Sequence, residues 1–108
     1  MCHCLDCQKR TGSVFGVQAR FADEQVEAVT TDTLCNYTRK GDTGGLVTSY
    51  FCSNCGSNLF WRVDKLPGYT IVGVGSFADP QFGAPSLSVY EDRRPPWTRQ
   101  PPEMECWN

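Results

Sequence analysis

The sequence lacks the features that mark nucleic-acid-binding and membrane-spanning proteins. Its 10 Lys and Arg residues are outnumbered by 12 Asp and Glu residues, which gives a formal net charge of -2. Nucleic-acid modules usually carry a clustered excess of Lys and Arg, so this balance argues against a phosphate-binding surface. No stretch reaches the roughly 18 apolar residues that are needed to cross a bilayer. We therefore expect neither a nucleic acid nor a membrane as a partner.

Histidine is nearly absent, and the cysteines cannot all be paired. The chain contains 1 His and 7 Cys, and an odd number excludes complete disulfide pairing. The opening residues 1–10 contain no apolar segment of the kind found in secretory signal peptides. We therefore expect a reducing, cytoplasmic location. In that setting clustered thiols are more often metal ligands or catalytic groups than crosslinks.

The residues that are abundant favour an all-β fold with little helix. Segments rich in β-branched and aromatic residues predict strands at 13–21, 25–30, 33–39, 46–51, 57–63, 69–73 and 87–90. The glycine-rich stretch 41–45 predicts a hairpin turn, and only residues 5–10 predict a turn of helix. The length of 108 residues suits a single domain over 1–108. Within it, the proline-rich tail 93–108 begins with a stretch, 93–102, that is excluded from the inside of a sheet.

Three cysteines near the start of the chain have the spacing of a metal site. Cys2 and Cys4 are two residues apart, so their side chains leave the same face of an extended segment, and Cys7 returns after a short turn. Zinc prefers four ligands in a tetrahedral arrangement, and three protein ligands leave one position for water or substrate. The spacing therefore predicts a catalytic zinc site.

A second pair, Cys52 and Cys55, repeats the CxxC spacing and is followed by Gly56, which suits a tight knuckle. Two CxxC units in a chain with unpaired thiols are a strong signal for metal binding. A second interpretation leaves the first cysteine uninvolved and has one structural zinc with four thiolates. Those thiolates would come from Cys4, Cys7, Cys52 and Cys55.

The remaining histidine and cysteines have less specific roles. His3 lies between two predicted ligands, but the alternation of an extended segment sends its ring away from the face that Cys2 and Cys4 share. We therefore expect it beside the metal site and not in it. Cys35 lies on a predicted strand and is interpreted as a small buried hydrophobe, and Cys106 as a free thiol near the C-terminus.

Taken together, four motifs resemble a known family. They are the CHCLDC sequence at 2–7, FCSNCGSNLF at 51–60, GSFADP at 75–80 and RPPW at 94–97. The chain resembles the glutathione-dependent formaldehyde-activating enzyme family, which also contains centromere protein V. The first two motifs are specific in combination, whereas the last two would be weak alone.

The resemblance implies a fold and two metal sites. The fold is a β-tent, a zinc-binding arrangement of several coiled antiparallel sheets. By position, Cys2, Cys4 and Cys7 would hold a catalytic zinc, and Cys52 and Cys55 would hold half of a structural zinc. Family members supply the other half with a CxC pair ahead of the first motif. Because this chain begins just before that motif, we expect the structural site to be incomplete in it.

The resemblance also implies a function. The expected activity is that of a zinc-dependent carbon–sulfur lyase, which forms or cleaves S-hydroxymethylglutathione from formaldehyde or another aldehyde and a thiol such as glutathione. Because glutathione carries two carboxylates, we expect cationic residues at its site. The candidates are Lys9, Arg10, Arg93 and Arg94. No catalytic group beyond the metal ligands is assigned. The alternative is a non-catalytic zinc module for protein binding, as in a truncated, inactive family member.

Overall fold

The computed structural model describes all residues, Met1–Asn108, and its secondary structure is mostly β with one short α-helix. The predicted all-β class with little helix is therefore confirmed. The chain divides into two compact units. The terminal unit consists of Met1–Gln18 and Ala78–Asn108, and the sheet unit consists of Ala19–Phe77. None of the helices combines the length and the apolar character needed to span a membrane.

The sheet unit is built on a five-stranded sheet with the strand order β1-β5-β4-β3-β2. Their bounds are Gln18–Ala22 for β1, Leu34–Lys40 for β2, Leu46–Cys52 for β3, Asn58–Val63 for β4 and Tyr69–Gly73 for β5. The predicted strands at 33–39, 46–51, 57–63 and 69–73 are thus confirmed to within a residue or two. Pairs β2·β3, β3·β4 and β4·β5 are all antiparallel.

Two strand predictions differ from the structure. The predicted strand 25–30 is wrong. Its first residue belongs to the 3-10 turn Asp23–Gln25, which Gln25 closes by accepting the Ala22 N–H at 3.0 Å, and residues 26–30 form no strand. The predicted strand 13–21 begins only at Gln18. Its earlier part is absent from the sheet because Gly16 forms its backbone hydrogen bonds with Cys2 instead.

The hairpin between β2 and β3 is present, with Lys40 opposite Leu46. The Gly41 N–H donates to the Gly45 carbonyl at 2.7 Å and closes the turn. Gly44 has a φ of 86°, which L side chains rarely adopt, so the turn requires a glycine there.

The centre of the sheet unit is formed where β4 and β5 pair. Trp61 lies opposite Ile71, and both side chains are buried. On the opposite face of β4, the Phe60 ring stacks on Tyr50 with ring centroids 4.6 Å apart. Burying a large apolar side chain contributes about 1.5–3 kcal/mol, so the buried pair of Trp61 and Ile71 is a main source of the unit's stability.

The terminal unit contains the helix α1, Leu5–Thr11, and a pair of short strands, β6, Leu87–Val89, and β7, Glu105–Trp107. The helix confirms the predicted turn at 5–10, and β6 confirms the predicted strand at 87–90. The β7 strand was not predicted, and it pairs with β6 in parallel. The end of the proline-rich tail is thus hydrogen-bonded to β6, although 93–102 contributes no strand, as expected.

A substitution at Gly45 tests the packing of the hairpin. A Cβ there would lie 2.6 Å from Asp64 Oδ1, which accepts the Leu46 N–H at 2.9 Å, and 2.9 Å from Lys65 Cγ. We predict that Gly45→Ala lowers the free energy of unfolding by about 1–3 kcal/mol, the usual cost of overpacking. Urea denaturation measures the change. Gly75→Ala is the matched control, since nothing lies within 4 Å of its Cβ position. Equal stability of the two variants would contradict this account.

Candidate metal centre

Three thiols meet in the terminal unit. The Sγ atoms of Cys2, Cys4 and Cys7 all lie within 4.8 Å of one another. Cys2 is buried, and the other two are partly buried. The predicted convergence of these cysteines is therefore present in the structure. The choice between the two interpretations of the zinc site stays a prediction.

Backbone pairing places Cys2. Its N–H donates to the Gly16 carbonyl at 2.8 Å, and the Gly16 N–H donates back to the Cys2 carbonyl at 2.9 Å. On the other side Cys2 forms a parallel bridge to Val89, through which the His3 N–H donates to the Val89 carbonyl at 3.1 Å. The segment that carries the first thiol is thus held between two others.

The helix places the other two thiols. Cys4 is the N-cap of α1, and its sulfur accepts the Cys7 N–H at 3.3 Å. An N-cap residue is extended while the residues after it are helical, so the chain turns back and Cys7 approaches Cys4. The Gln8 N–H donates to the Cys4 carbonyl at 3.1 Å and begins the helix.

The thiols perturb one another. Hydrogen bonds from Cys2 and then Cys7 to the Cys4 sulfur lower the pKa of the Cys4 thiol to about 2. The hydrogen bond of Cys2 with Cys4, and to a lesser extent its hydrogen bond with Cys7, raises the pKa of the Cys2 thiol above its usual range. The cluster therefore favours one thiolate that two neighbouring thiols solvate.

This donor set fits zinc. Zinc binds thiolates at about 2.3 Å, which corresponds to sulfurs roughly 3.8 Å apart in a tetrahedron. The sulfurs of Cys2, Cys4 and Cys7 lie within 4.8 Å of one another, and thiolates are the soft ligands that zinc accepts.

His3 is completely buried, yet its ring nitrogens have partners other than the thiols. Nδ1 lies 3.2 Å from the Val14 carbonyl oxygen, and Nε2 lies 3.0 Å from Nε2 of Gln100. The ring also meets Phe15 edge to face, with centroids 5.8 Å apart. This placement agrees with the expectation that His3 lies beside the metal site and not in it.

A partly buried polar network continues from Gln100. Its amide nitrogen lies 2.6 Å from Glu91 Oε1 and 2.9 Å from the Ser88 hydroxyl. Arg94 Nε donates to Glu91 Oε2 at 2.5 Å, and Arg94 Nη1 donates to the Thr98 carbonyl at 2.7 Å. Burial raises the pKa of Glu91, but hydrogen bonds from Ser88, Arg94 and Gln100 outweigh it and lower that pKa to about 2.

Sequence reasoning missed this network. Gln100 and His3 are 97 positions apart, and no motif spacing relates residues at that separation. The nearest signal in the sequence was a glutamine in a proline-rich tail, and nothing in the sequence distinguished it from an ordinary surface glutamine.

Cys52 and Cys55 lie in the sheet unit, where β3 ends. The Gly56 N–H donates to the Cys52 carbonyl at 2.7 Å, and Gly56 has a φ of 77°, as the predicted knuckle requires. The exposed Cys55 thiol lies 3.2 Å from the Ser57 hydroxyl, and this hydrogen bond lowers its pKa. A weaker hydrogen bond with Cys52 acts in the same direction. The assignment of this pair to a structural zinc stays a prediction.

The predicted cationic residues have different surroundings. Lys9 is exposed, whereas Arg10 is partly buried and close enough to Cys7 for its charge to act on that thiol. Arg93 lies over the Tyr90 ring, with its guanidinium carbon 5.1 Å from the ring centroid. Arg94 is the partner of Glu91. Their assignment to glutathione binding stays a prediction.

The fold and the thiol cluster define a class, that of small, mostly β proteins with a cluster of three cysteines that could hold a metal ion. The family model for the glutathione-dependent formaldehyde-activating enzyme matches residues 1–93. The chain therefore belongs to this family, and the resemblance seen in its motifs is confirmed. A search of curated proteins found no match.

Metal content tests the cluster. We predict that Cys7→Ser removes or strongly weakens one metal site, because two thiolates hold zinc much less tightly than three. Elemental analysis after anaerobic purification measures zinc per chain, and Co²⁺ substitution reports thiolate coordination through its charge-transfer absorption. Cys106→Ser is the control, since that thiol is exposed and outside the cluster. Unchanged zinc content in Cys7→Ser would contradict the assignment.

The pH dependence of stability tests the network. A carboxyl whose folded-state pKa is lowered stabilises the protein above its unfolded pKa and loses that effect as the pH falls through the folded value. The pKa of Glu91 falls from 4.5 to about 2 on folding. We predict that metal-free wild type is more stable than Glu91→Gln at pH 6. The difference in unfolding free energy should shrink as the pH falls from about 5 to 2. A difference that is constant over this range would be contrary to the prediction.

Proposed function

We propose that the protein is a zinc-dependent enzyme that forms or cleaves the carbon–sulfur bond of S-hydroxymethylglutathione. Membership of the formaldehyde-activating family supports this proposal. The observation that carries it is the cluster of Cys2, Cys4 and Cys7, from which the neighbouring histidine ring is turned away. Three thiolate ligands leave a coordination position for a substrate, as catalytic zinc sites do and structural sites do not.

In this proposal the chain's own role is to hold the metal and the substrate. Zinc, when bound, supplies a positive charge that keeps a thiol ionised near neutral pH. In the synthetic direction the glutathione sulfur forms a bond to the formaldehyde carbon. The electron pair of the carbonyl π bond moves to oxygen, which gains the proton that the thiol lost. Cleavage is the reverse, and neither direction needs an oxidant or a reductant.

Arg10 is the best-supported cation for glutathione binding. For the Cys7 thiol, a hydrogen bond with Cys2 acts to lower the pKa, while contact with Cys4 and burial raise it above its usual value. The charge of Arg10 also acts to lower that pKa. A Cβ added at Gly16 would lie 3.0 Å from Arg10 Nη2 and 3.7 Å from Cys7 Cβ, so the guanidinium and Cys7 flank the same glycine. A guanidinium there suits a substrate carboxylate. By contrast, Arg94 already pairs with Glu91.

The alternative function for this chain is that of a zinc module that binds proteins without catalysis. Such a module would keep its metal and lose the reaction, so metal content alone does not separate the two functions. We also propose a cytoplasmic location, because seven unpaired cysteines suit a reducing compartment.

Turnover separates the two functions. We predict that the zinc-loaded protein accelerates the exchange between formaldehyde with glutathione and S-hydroxymethylglutathione above the spontaneous rate, since proximity and thiol ionisation both lower the barrier. Exchange NMR at equilibrium measures the rate in both directions. Cys7→Ser should abolish the acceleration and Cys106→Ser should retain it. A metal-loaded wild-type protein with no acceleration would favour the binding module.

A further inference from the structure

The sheet has an open edge at β2. This strand, Leu34–Lys40, stands at one end of the strand order and pairs only with β3. Proteins usually protect such an edge with a proline, a bulge or a charge in its middle. Here the pairing with β3 has no register shift, the strand contains no proline, and its charged residues stand together at one end. Because the three central side chains, Asn36, Tyr37 and Thr38, are exposed as well, the edge is a template for a further strand.

Two hydrogen bonds determine which backbone groups face this edge. The Ser53 N–H donates to the Thr33 carbonyl at 2.7 Å, and the Gly41 N–H donates to the Gly45 carbonyl at 2.7 Å. Both Thr33 and Gly41 therefore turn their backbone groups toward β3. Residues along an antiparallel strand alternate between its two sides. Every odd-numbered residue from 33 to 41 thus faces β3, and every even-numbered residue faces the open edge.

The centre of the open edge is formed by Asn36 and its even-numbered neighbours. The Leu34 N–H is engaged, since it donates to the Thr31 carbonyl at 3.1 Å. The alternation directs outward the N–H groups of Asn36 and Thr38 and the carbonyl groups of Leu34 and Asn36. A second copy of β2 laid antiparallel offers the same groups in reverse order. The two sets can bond to each other only in registers that place even-numbered residues opposite even-numbered residues.

Charge selects one of these registers. When Asn36 lies opposite itself, Lys40 of each copy lies opposite Asp32 of the other, and both side chains are exposed. When the strands slide by two residues so that Tyr37 lies opposite itself, Asp32 meets Asp42 instead, and like charges placed opposite each other are destabilising. Sliding the other way places Lys40 opposite an uncharged residue. Among registers centred on a residue of β2, the first alone pairs opposite charges.

We propose that two copies of the chain associate through β2, antiparallel about a two-fold axis at Asn36, so that their sheets become continuous. The Asn36 N–H of each copy then donates to the Asn36 carbonyl of the other, and each Thr38 N–H donates to the Leu34 carbonyl across the axis. Tyr37, which is 65% exposed in one copy, faces Cys35 of the other at the closest kind of cross-strand position. A two-fold contact closes on itself, so the product is a dimer and not a fibre.

The size of this contact determines how tightly the copies bind. One strand of each copy contributes to it, and stable protein–protein interfaces usually bury about 1,600 Å² in total. The dimer is therefore weak and in equilibrium with the monomer. The contact lies wholly in the sheet unit, whereas the thiol cluster lies in the terminal unit. A failure of this proposal is thus distinguishable from a failure of metal binding or of turnover.

The first experiment measures association of the wild-type protein under reducing conditions, so that no disulfide contributes. We predict that sedimentation velocity shows a monomer–dimer equilibrium between about 10 μM and 1 mM, the range of weak interfaces. Amide hydrogen exchange by NMR should show that the N–H groups of Asn36 and Thr38 exchange more slowly at the high concentration than at the low one. A protein that stays monomeric throughout, or a dimer that leaves these two amides unprotected, would overturn the proposal.

The second experiment exchanges the two charges. At low ionic strength Lys40→Glu and Asp32→Lys should each weaken dimerisation about threefold to tenfold, because each places like charges opposite one another at both ends of the contact. The double variant should restore it. Within one copy the two residues are eight positions apart, roughly 25 Å along the strand direction, so the rescue can arise only between copies. Arg20→Glu, an exposed residue of β1 at the other end of the sheet, is the matched control and should leave dimerisation unchanged. A double variant no better than the single variants would overturn the proposal.

A cysteine at the axis tests the register. In a Cys35→Ser background, Asn36→Cys should form a disulfide between copies under mild oxidation, because opposite residues of a hydrogen-bonded pair have Cα atoms about 5.5 Å apart. Thr38→Cys in the same background is the control. Its two copies would be four residues out of step, roughly 13 Å apart, which is beyond the reach of a disulfide. Peptide mass spectrometry locates the bond. Equal yields at the two positions, or no bond at position 36, would overturn the proposed register.

Discussion

Three polar side chains, His3, Ser88 and Thr98, are buried in the terminal unit, and each must find a hydrogen-bond partner inside the protein. A buried polar group without a partner costs free energy comparable to a lost hydrogen bond or more. The carboxylate of Glu91 and the amide of Gln100 supply partners for two of them, and Thr98 donates to the Pro95 carbonyl at 2.8 Å. This requirement ties the chain's first residues to its tail.

The thiol cluster depends on the same constraint. When the thiols of Cys2, Cys4 and Cys7 ionise, their negative charges repel one another. Holding them together therefore requires a cation and a backbone that hydrogen bonds keep in place. Here that support is lateral pairing to Gly16 and Val89, together with the anchored His3 ring. The sheet unit contributes a different kind of stability, through the buried cross-strand pair of Trp61 and Ile71. The thiol cluster and the buried cross-strand pair therefore lie in separate units of the chain.

How far the sequence predicts the structure depends on the range of each interaction. The strands β2 to β5 follow from local composition, and the convergence of Cys2, Cys4 and Cys7 follows from extended-chain geometry and a short turn. The β7 strand and the polar network were not predicted, because both join residues far apart in sequence. The strand predicted at 25–30 is absent, and at its first residue the cause is a local interaction, because the side chain of Gln25 closes a 3-10 turn.

Family membership and geometry support the same interpretation, a metal held by three sulfurs with one position left for substrate. X-ray absorption at the zinc edge tests this most directly. The measurement uses a variant with Cys52→Ser and Cys55→Ser, loaded with one zinc per chain. The account predicts three sulfur scatterers at about 2.3 Å and one lighter oxygen or nitrogen atom, without the outer-shell pattern of an imidazole. Four sulfurs, or a clear imidazole pattern, would contradict it.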